Sequence, residues 1–219
     1  MYKTEPHMHL KEVSSCSHLM ADEMIKLYRK EGYDTVFVTD HFTTRYFNLL
    51  GDIPWEDKIT IFLSAYYKAV EAGKKEGITV LMGAEFTIES NHYLGYGVTR
   101  EFLNMYPDLD KKSIKEFSAI AKKHNIFLVQ AHPFRDEKYY PTPEYVDAIE
   151  VYNSNPRHED FSEKSFQLAK ENGLYMSAGS DTHRKEDVGK SGILSDTKIE
   201  SSKDFISLIK SGRAKIIKR

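Results

Sequence analysis

The prediction of the fold starts from the first nine residues of the chain, MYKTEPHMH (residues 1–9). If residues 3–9 form a strand, His7 and His9 point to the same side of it, because strand side chains alternate with a period of two. Two imidazoles then converge on one point, an arrangement that can hold a metal ion. A His-x-His pair alone is a weak signal, so the interpretation depends on which residues stand at the ends of the other strands.

Further along the chain, short apolar runs alternate with helical patterns. The predicted strands are residues 35–39, 78–86, 92–98, 126–131, 147–152, 175–179 and 215–219. The predicted helices are residues 21–30 before Gly32, 55–72 before Gly73, 113–123 with a capping box of Ser113 and Glu116, 159–171 before Gly173, and 203–210, while residues 42–52 are expected to be a loop. Such alternation predicts an α/β fold with a parallel sheet that closes, or nearly closes, into one barrel-like domain over residues 1–219. Catalytic side chains of such barrels lie at the C-terminal ends of the strands.

Composition restricts the partners and the compartment. The formal net charge is -2 and the basic residues are scattered, which disfavours nucleic acid or an anionic membrane as a partner. Cys16 is the single cysteine, so no internal disulfide forms. The N-terminus lacks the pattern of a secretion signal, and no apolar run approaches the roughly 20 residues that span a bilayer. We therefore expect a cytoplasmic protein.

Histidines and acids recur just after the predicted strands. They are His7, His9, Asp40, His41, Glu85, His132, Asp181 and His183, with His92 at the start of a short strand and Glu12 in the first loop. Any one of these histidines is explained equally well as a neutral, hydrogen-bonded core side chain. As a group they would bury unpaired polar atoms in the barrel mouth unless a cation lay among them. The set therefore predicts a metal site.

The ligand types indicate which metals and which reaction to expect. Imidazoles and carboxylates without thiolates suit Zn, Mn or Fe. The candidate ligands are too many for one tetrahedral ion, so we expect two or three divalent ions, with Glu85 as the carboxylate that bridges them. Clustered metal ions supply hydroxide near neutral pH and neutralise the charge of an attacked phosphate, which predicts ester hydrolysis. The sequence contains no Gly-x-Ser-x-Gly elbow and no Gly-x-x-x-x-Gly-Lys loop.

Six motifs together resemble those of the PHP (polymerase and histidinol phosphatase) family, in the family's order. They are HMH (7–9), TDH (39–41), GAEF (83–86), His92 before Leu94-Gly95, AHP (131–133) and SDTH (180–183). The resemblance implies a distorted (β/α)7 barrel with a di- or trinuclear metal site and phosphoesterase activity. Members of this family include histidinol phosphatases, bacterial tyrosine phosphatases, small nucleotide phosphatases and domains attached to DNA polymerases.

The resemblance also implies roles for individual residues. His7 and His9 would hold one metal with Glu85 and Asp181, and Glu85 would bridge to a second metal near His132. The remaining positions would be completed by His41, His92 and His183.

One position departs from the family's pattern. Many members carry Asp or His about five residues after the second histidine of the first motif, where this chain has Ser14. We expect Glu12 to supply the missing carboxylate, with Cys16 as the less favoured substitute. If neither side chain ligates, the third metal is absent or weakly held.

Several further residues are candidates for supporting roles. Asp40 points away from its neighbour His41 and is expected to support a ligand rather than to be one. Arg135 is the first choice to bind two phosphate oxygens through its guanidinium group, ahead of Arg45, Arg157 and Arg184. The ordinary interpretation of Arg135 is an exposed surface arginine. His158 could protonate a leaving group or simply face solvent.

The favoured function is hydrolysis of a small phosphomonoester, a metabolite or a nucleotide, by metal-bound hydroxide. One alternative is a phosphodiesterase or 3′ exonuclease on short single strands, which would need an open basic groove lined with aromatic residues. Tyr139, Tyr140 and Tyr145 could provide such rings or merely cover a loop. The other alternative is a non-catalytic regulatory domain, whose structural metal site would be closed by protein ligands.

Overall fold

The computed structural model describes residues 1–159 and 161–219. The strands in these ranges are β1 (Tyr2–Met8), β2 (Thr35–Val38), β3 (His41–Phe42), β4 (Thr79–Ile88), β5 (Asn91–Tyr96), β6 (Phe127–Gln130), β7 (Ala148–Asn153), β8 (Tyr175–Gly179), β9 (Ser191–Ser195) and β10 (Lys215–Lys218). The α-helices are α1 (Ala21–Lys30), α2 (Thr44–Leu49), α3 (Trp55–Phe62), α4 (Ser64–Glu76), α5 (Arg100–Met105), α6 (Ile114–Lys123), α7 (Ser162–Glu171) and α8 (Ser202–Lys210). None of these helices is both long enough and apolar enough to cross a membrane.

The strands form one sheet that closes almost completely on itself. Its order is β10-β9-β1-β2-β4-β5-β6-β7-β8, with β3 paired to β4. Thr182, just after β8, bridges in parallel to Met8 of β1. The N–H of Thr182 donates to the His7 carbonyl (3.3 Å), and the N–H of His9 donates to the Thr182 carbonyl (3.0 Å). The predicted α/β barrel is therefore confirmed, and the place where it closes lies beside His7 and His9.

The sheet is mixed, which corrects the prediction of a parallel one. β5 is antiparallel to both β4 and β6, and β9 is antiparallel to both β1 and β10. β4 and β5 are joined by residues 89–90 alone, and a two-residue connection makes a hairpin, because a parallel crossover needs a dozen residues or more. β9 was not predicted, since it is short and has serine at both ends.

Several helix bounds also differ from the predictions. The predicted loop at residues 42–52 contains α2, and the single helix predicted at residues 55–72 is two helices that meet at Leu63. α5 was not predicted at all. α7 begins at Ser162 rather than at residue 159, and residue 160 of that prediction lies outside the described residues. The capping box of Ser113 and Glu116 at the start of α6 is confirmed.

Gly73 does not end a helix, as the sequence suggested, but lies inside α4. That helix continues to Glu76 and ends at Gly77, whose φ of 69° is left-handed. A Cβ atom at position 73 would lie 2.7 Å from the Ile78 carbonyl oxygen and 2.7 Å from Cγ2 of Val80. The glycine is therefore required by the close approach of α4 to the start of β4.

We expect Gly73→Ala to destabilise the protein by about 1–2 kcal/mol, since overpacking against a backbone carbonyl outweighs the better helix propensity of alanine. Urea denaturation of the metal-free chain measures the effect. Lys68→Ala, on the exposed face of the same helix, is the matched control and should change the free energy of unfolding by less than about 0.5 kcal/mol. Equal stability of Gly73→Ala and the parent chain would contradict this account of the glycine.

Candidate metal centre

Glu85 of β4 lies at the middle of the predicted ligand set. Its side chain is 1% exposed, and nitrogens of five histidines surround its carboxylate. The distances to the nearer oxygen are 2.6 Å from Nδ1 of His41, 3.2 Å from Nδ1 of His92, 3.3 Å from Nε2 of His7, 3.3 Å from Nε2 of His132 and 3.6 Å from Nε2 of His9. Residues that are up to 125 positions apart in the sequence therefore meet around one buried acid.

His7 and His9, the two histidines of the first motif, each direct Nε2 toward this acid. Nδ1 of His7 donates to Oε1 of Glu150 (2.8 Å), and Nδ1 of His9 faces the Ser14 hydroxyl (3.4 Å), which itself donates to Oδ1 of Asp40 (2.7 Å). The hydrogen bonds at Nδ1 fix the tautomer and leave each Nε2 as a lone-pair donor. The two Nε2 atoms are 3.1 Å apart.

Asp181 provides the second carboxylate. Its Oδ1 lies 3.2 Å from Nε2 of His9 and 3.4 Å from Nε2 of His7, while its Oδ2 is paired with the Arg135 guanidinium. Asp181 and His132 both have left-handed backbone conformations, with φ of 50° and 32°. Residues other than glycine rarely adopt positive φ, and such strain concentrates at functional sites.

The donor atoms fit divalent cations. Three groups each place their ligand atoms within 4.8 Å of one another: His7–His9–Glu85, His41–Glu85–His92 and His9–His41–His183. Within the described part of the chain, Nδ1 of His132 is buried without a hydrogen-bond partner. Oε2 of Glu85 and Nδ1 of His92 are close to His41 (2.6 Å) and to Oε1 of Glu85 (3.2 Å), but neither contact has hydrogen-bond geometry. Buried polar atoms are normally hydrogen-bonded, so donor atoms that approach one another without hydrogen bonds suit a site that holds a cation between them.

The acids and imidazoles of the cluster shift one another's pKa values. Burial would raise the pKa of Glu85, but His92, His41 and His7 hold it well below its usual range. Burial, together with the nearby His41 and His183, lowers the pKa of His9 well below its usual range. Burial and Arg135 lower the pKa of His132 to about 3. Although burial lowers it, nearby carboxylates raise the pKa of His7 well above its usual range and that of His41 to about 10. Because neutral imidazoles ligate transition metals, these two rings would release their protons when a metal ion binds.

A second layer of side chains supports these residues and was not assigned from the sequence. Glu150 of β7 accepts hydrogen bonds from His7, from the backbone N–H of His132 (3.1 Å) and from the Asn153 side chain (2.8 Å). The amide of Asn155 donates to the Asp181 carbonyl (3.2 Å). The available signal was a glutamate within the apolar run at residues 148–151, where an acid requires a polar partner.

The structure gives the two candidates near the Ser14 departure different neighbours. Oε1 of Glu12 accepts a hydrogen bond from the N–H of Ala21 (3.2 Å), at the start of α1, while its Oε2 is buried without a hydrogen-bond partner. Neither Glu12 nor Cys16 belongs to the three ligand groups. Sγ of Cys16 instead lies 3.1 Å from Nε2 of His183. Although burial raises the pKa of Cys16, hydrogen bonds with His183 and His41 lower it to about 6.

A cavity of about 330 Å³ opens above the cluster, and we call it the mouth. It is lined by Cys16, His41, His92, Arg135, Asn155, Arg157, His158, Asp181, His183 and Arg184. Two of these arginines have carboxylate partners, since Arg157 binds Asp187 through both of its terminal nitrogens (2.9 and 2.6 Å) and Arg135 binds Asp181. Arg184 is exposed, without an ion pair inside the described residues.

The remaining predicted residues lie at the edge of this cavity or outside it. His158 is exposed on the rim, and its partial burial and the nearby Arg135 lower its pKa. Tyr139 stands edge-on to the rings of His92 (5.4 Å) and His132 (5.2 Å). Tyr140 donates to Glu89 instead, and Tyr145 lines a different cavity.

We expect Glu85→Gln to bind fewer metal ions, because an amide neither bridges cations nor balances the surrounding imidazoles. The loss in affinity should exceed the roughly 10–100-fold that removal of an outer-shell partner causes. Metal content per chain, measured by plasma mass spectrometry after dialysis, reports the change. Glu101→Gln, which replaces a fully exposed acid on α5, should retain the parent stoichiometry. A folded Glu85→Gln chain with unchanged metal content would contradict the central role of Glu85.

The comparisons with known proteins agree with this architecture. A family model described as PHP-associated matches residues 161–214. No curated protein matches the chain. A two-domain protein from Bacteroides vulgatus, which contains a predicted PHP-like metal-dependent phosphoesterase, has a similar structure with a TM-score of 0.73 and 18% identity, covering 100% of this chain and 65% of that one.

Two other solved structures are also similar. The lesion-specific endonuclease PfuEndoQ from Pyrococcus furiosus has a TM-score of 0.63 and 15% identity, over 98% of this chain and 57% of that one. An amidohydrolase from Chromobacterium violaceum has a TM-score of 0.59 and 16% identity, over 97% of each chain. These proteins share the fold but have different activities. The matching family model covers about a quarter of this chain, and the solved structures, each under 25% identical to it, show that it shares their fold.

Proposed function

We propose that this chain is a metal-dependent phosphoesterase that hydrolyses a small phosphomonoester. The observation that carries the proposal is the group of five histidines around the buried Glu85, with Asp181 beside it, directly below a cationic mouth. A structural metal site would be closed by protein ligands, whereas side chains of this cluster line an open cavity. This arrangement argues against a purely structural site.

The donor set suits two or three ions of Zn, Mn or Fe, and Glu85 would contribute its carboxylate to holding more than one of them. When bound, such ions supply hydroxide near neutral pH and neutralise the charge of the attacked phosphate. The chain's own contribution is to hold the ligands in position. Glu150 orients His7, and Ser14 and Asp40 orient His9.

Arg184 is the arginine of the mouth best placed to receive a phosphate group. Arg157 is held by Asp187, and Arg135 would have to exchange Asp181 for the substrate. A guanidinium in the mouth complements the negative charge of phosphate oxygens. His158 is less suited to donate a proton to the leaving group, because its lowered pKa favours the neutral ring.

Release of p-nitrophenol from p-nitrophenyl phosphate and from bis-p-nitrophenyl phosphate, with Mn or Zn added, tests this function. We expect turnover of the monoester, loss of that turnover on chelation, and a much lower rate with the diester. A preference for the diester would favour a nuclease, the class to which the similar structure from Pyrococcus furiosus belongs. Turnover of neither ester by a metal-loaded chain would overturn the proposal.

Cys16 provides a separate test of the number and type of metal ligands. Nδ1 of His183 donates to the Asp181 carbonyl (2.8 Å), which leaves Nε2 facing Sγ of Cys16. We expect Cys16, with His41 and His183, to hold the last ion of the cluster in place of Glu12. The cobalt-loaded chain should then show a near-ultraviolet thiolate-to-cobalt charge-transfer band.

Cys16→Ser should abolish that band and release one cobalt equivalent per chain. Ser15→Ala, which changes an exposed neighbour in the same loop, is the control and should keep both. Glu12→Gln should also keep the band, since Glu12 caps α1. A cobalt spectrum identical in the parent and in Cys16→Ser would show that the thiolate is not a ligand.

A further inference from the structure

A second cavity, of about 280 Å³, adjoins the metal centre on the side of α2, and we call it the α2 pocket. Its outer wall includes Val13, Thr43, Arg45, Tyr46, Leu49 and Thr87. Its inner wall is formed by Cys16, His41 and His92, which also line the mouth. The two cavities therefore adjoin each other at these three side chains.

Helix α2 carries Arg45, Tyr46 and Leu49 of the outer wall, and packing and hydrogen bonds anchor it to the rest of the protein. The Phe47 ring is buried against the rings of Phe42 (4.7 Å) and Trp55 (4.6 Å), and its carbonyl accepts a hydrogen bond from the Lys58 ammonium (3.0 Å). The N–H of Tyr46 donates to the Thr43 hydroxyl (3.2 Å) at the start of the helix. A wall fixed in this way requires little ordering when a ligand binds, which favours affinity.

The side chains on this wall are apolar and aromatic, with one cation. Leu49 is 77% exposed and offers an apolar side chain to the α2 pocket. Tyr46 is half-buried, with its ring edge-on to Phe47 (5.3 Å) and Phe62 (5.9 Å). Arg45 is exposed and has no ion pair inside the described ranges. An apolar face beside an unpaired guanidinium suits a flat ring that carries a negative charge.

We propose that the α2 pocket binds the alcohol part of the substrate, and that this alcohol is an aromatic or heteroaromatic ring with a second negatively charged group. The ring lies against Tyr46 and Leu49, and the charged group reaches Arg45. The inference rests on the proposed phosphomonoesterase, since it places the phosphate in the mouth beside Glu85. The size of the pocket suits a single substituted ring, whereas a nucleic-acid strand needs a longer groove that follows its backbone.

The test compares 4-carboxyphenyl phosphate with phenyl phosphate on the whole, manganese-loaded chain. We expect the parent chain to have the higher kcat/KM for the carboxylated ester. Arg45→Ala should reduce the ratio of the two kcat/KM values by about five- to tenfold, the effect of losing one charge-assisted hydrogen bond at a partly exposed site. Arg45→Glu should invert the preference. Arg29→Ala, which removes an exposed arginine on α1, should leave the ratio unchanged.

Leu49→Ala separates ring binding from charge recognition. It should lower kcat/KM for both aryl esters relative to that for glycerol 1-phosphate, because only the aryl esters place a ring against this wall. An active chain with equal substrate ratios in the parent, Arg45→Ala and Leu49→Ala would overturn the inference and leave the proposed function standing.

If the metal-loaded chain turns over no ester, the proposed function is overturned. A binding measurement then tests the α2 pocket by itself. Calorimetry with 4-carboxybenzylphosphonate, which is not hydrolysed, should show weaker binding to Arg45→Ala than to the parent and Arg29→Ala. Equal affinities in all three chains would overturn the α2 pocket as a binding site for a charged ring.

Discussion

The structure depends on the burial of one carboxylate among imidazoles. Glu85 is almost completely excluded from solvent, and an isolated charge in such a place is strongly unfavourable. The side chains around it make the charge tolerable, because polarised and charged rings from β1, β3, β5 and the loop after β6 face it. Burial and the neighbouring rings of His41 and His183 lower the pKa of His9, so protonation of these rings is mutually unfavourable. A bound cation would relieve both problems.

The fold brings these groups together at one edge of the sheet. Parallel strands with returning helices carry their C-terminal ends to one edge, and the β4–β5 hairpin adds His92 from the opposite direction. Glu150, Asn153 and Asn155 then fix the orientation of the ligands through hydrogen bonds. The supporting side chains therefore come from β7 and the residues just after it, whereas the ligands come from the other strands and their ends.

Much of this arrangement could be predicted from the sequence. The period-two pattern of residues 3–9 and the apolar runs that end in His, Asp or Glu indicated the barrel and the convergence of the ligand set. The short elements α2 and β9 were missed, because neither carries a strong apolar period. The role of Glu12 depends on whether its side chain turns toward the histidines or toward α1, and spacing along the chain does not encode that choice. The prediction that Gly73 ends a helix was wrong for a similar reason. The glycine is required by its close contact with Ile78 and Val80, which the sequence pattern of its own helix does not reveal.

The closure between β8 and β1 has a consequence for the nascent chain. Thr182 bonds to the backbone on both sides of Met8, so His7 and His9 lack these backbone partners until residue 182 has left the ribosome. Contacts between such distant segments form late, because a long loop must close first. A growing chain would thus expose its N-terminal histidines to solvent, and only the finished barrel would offer them the geometry that selects one ion over another.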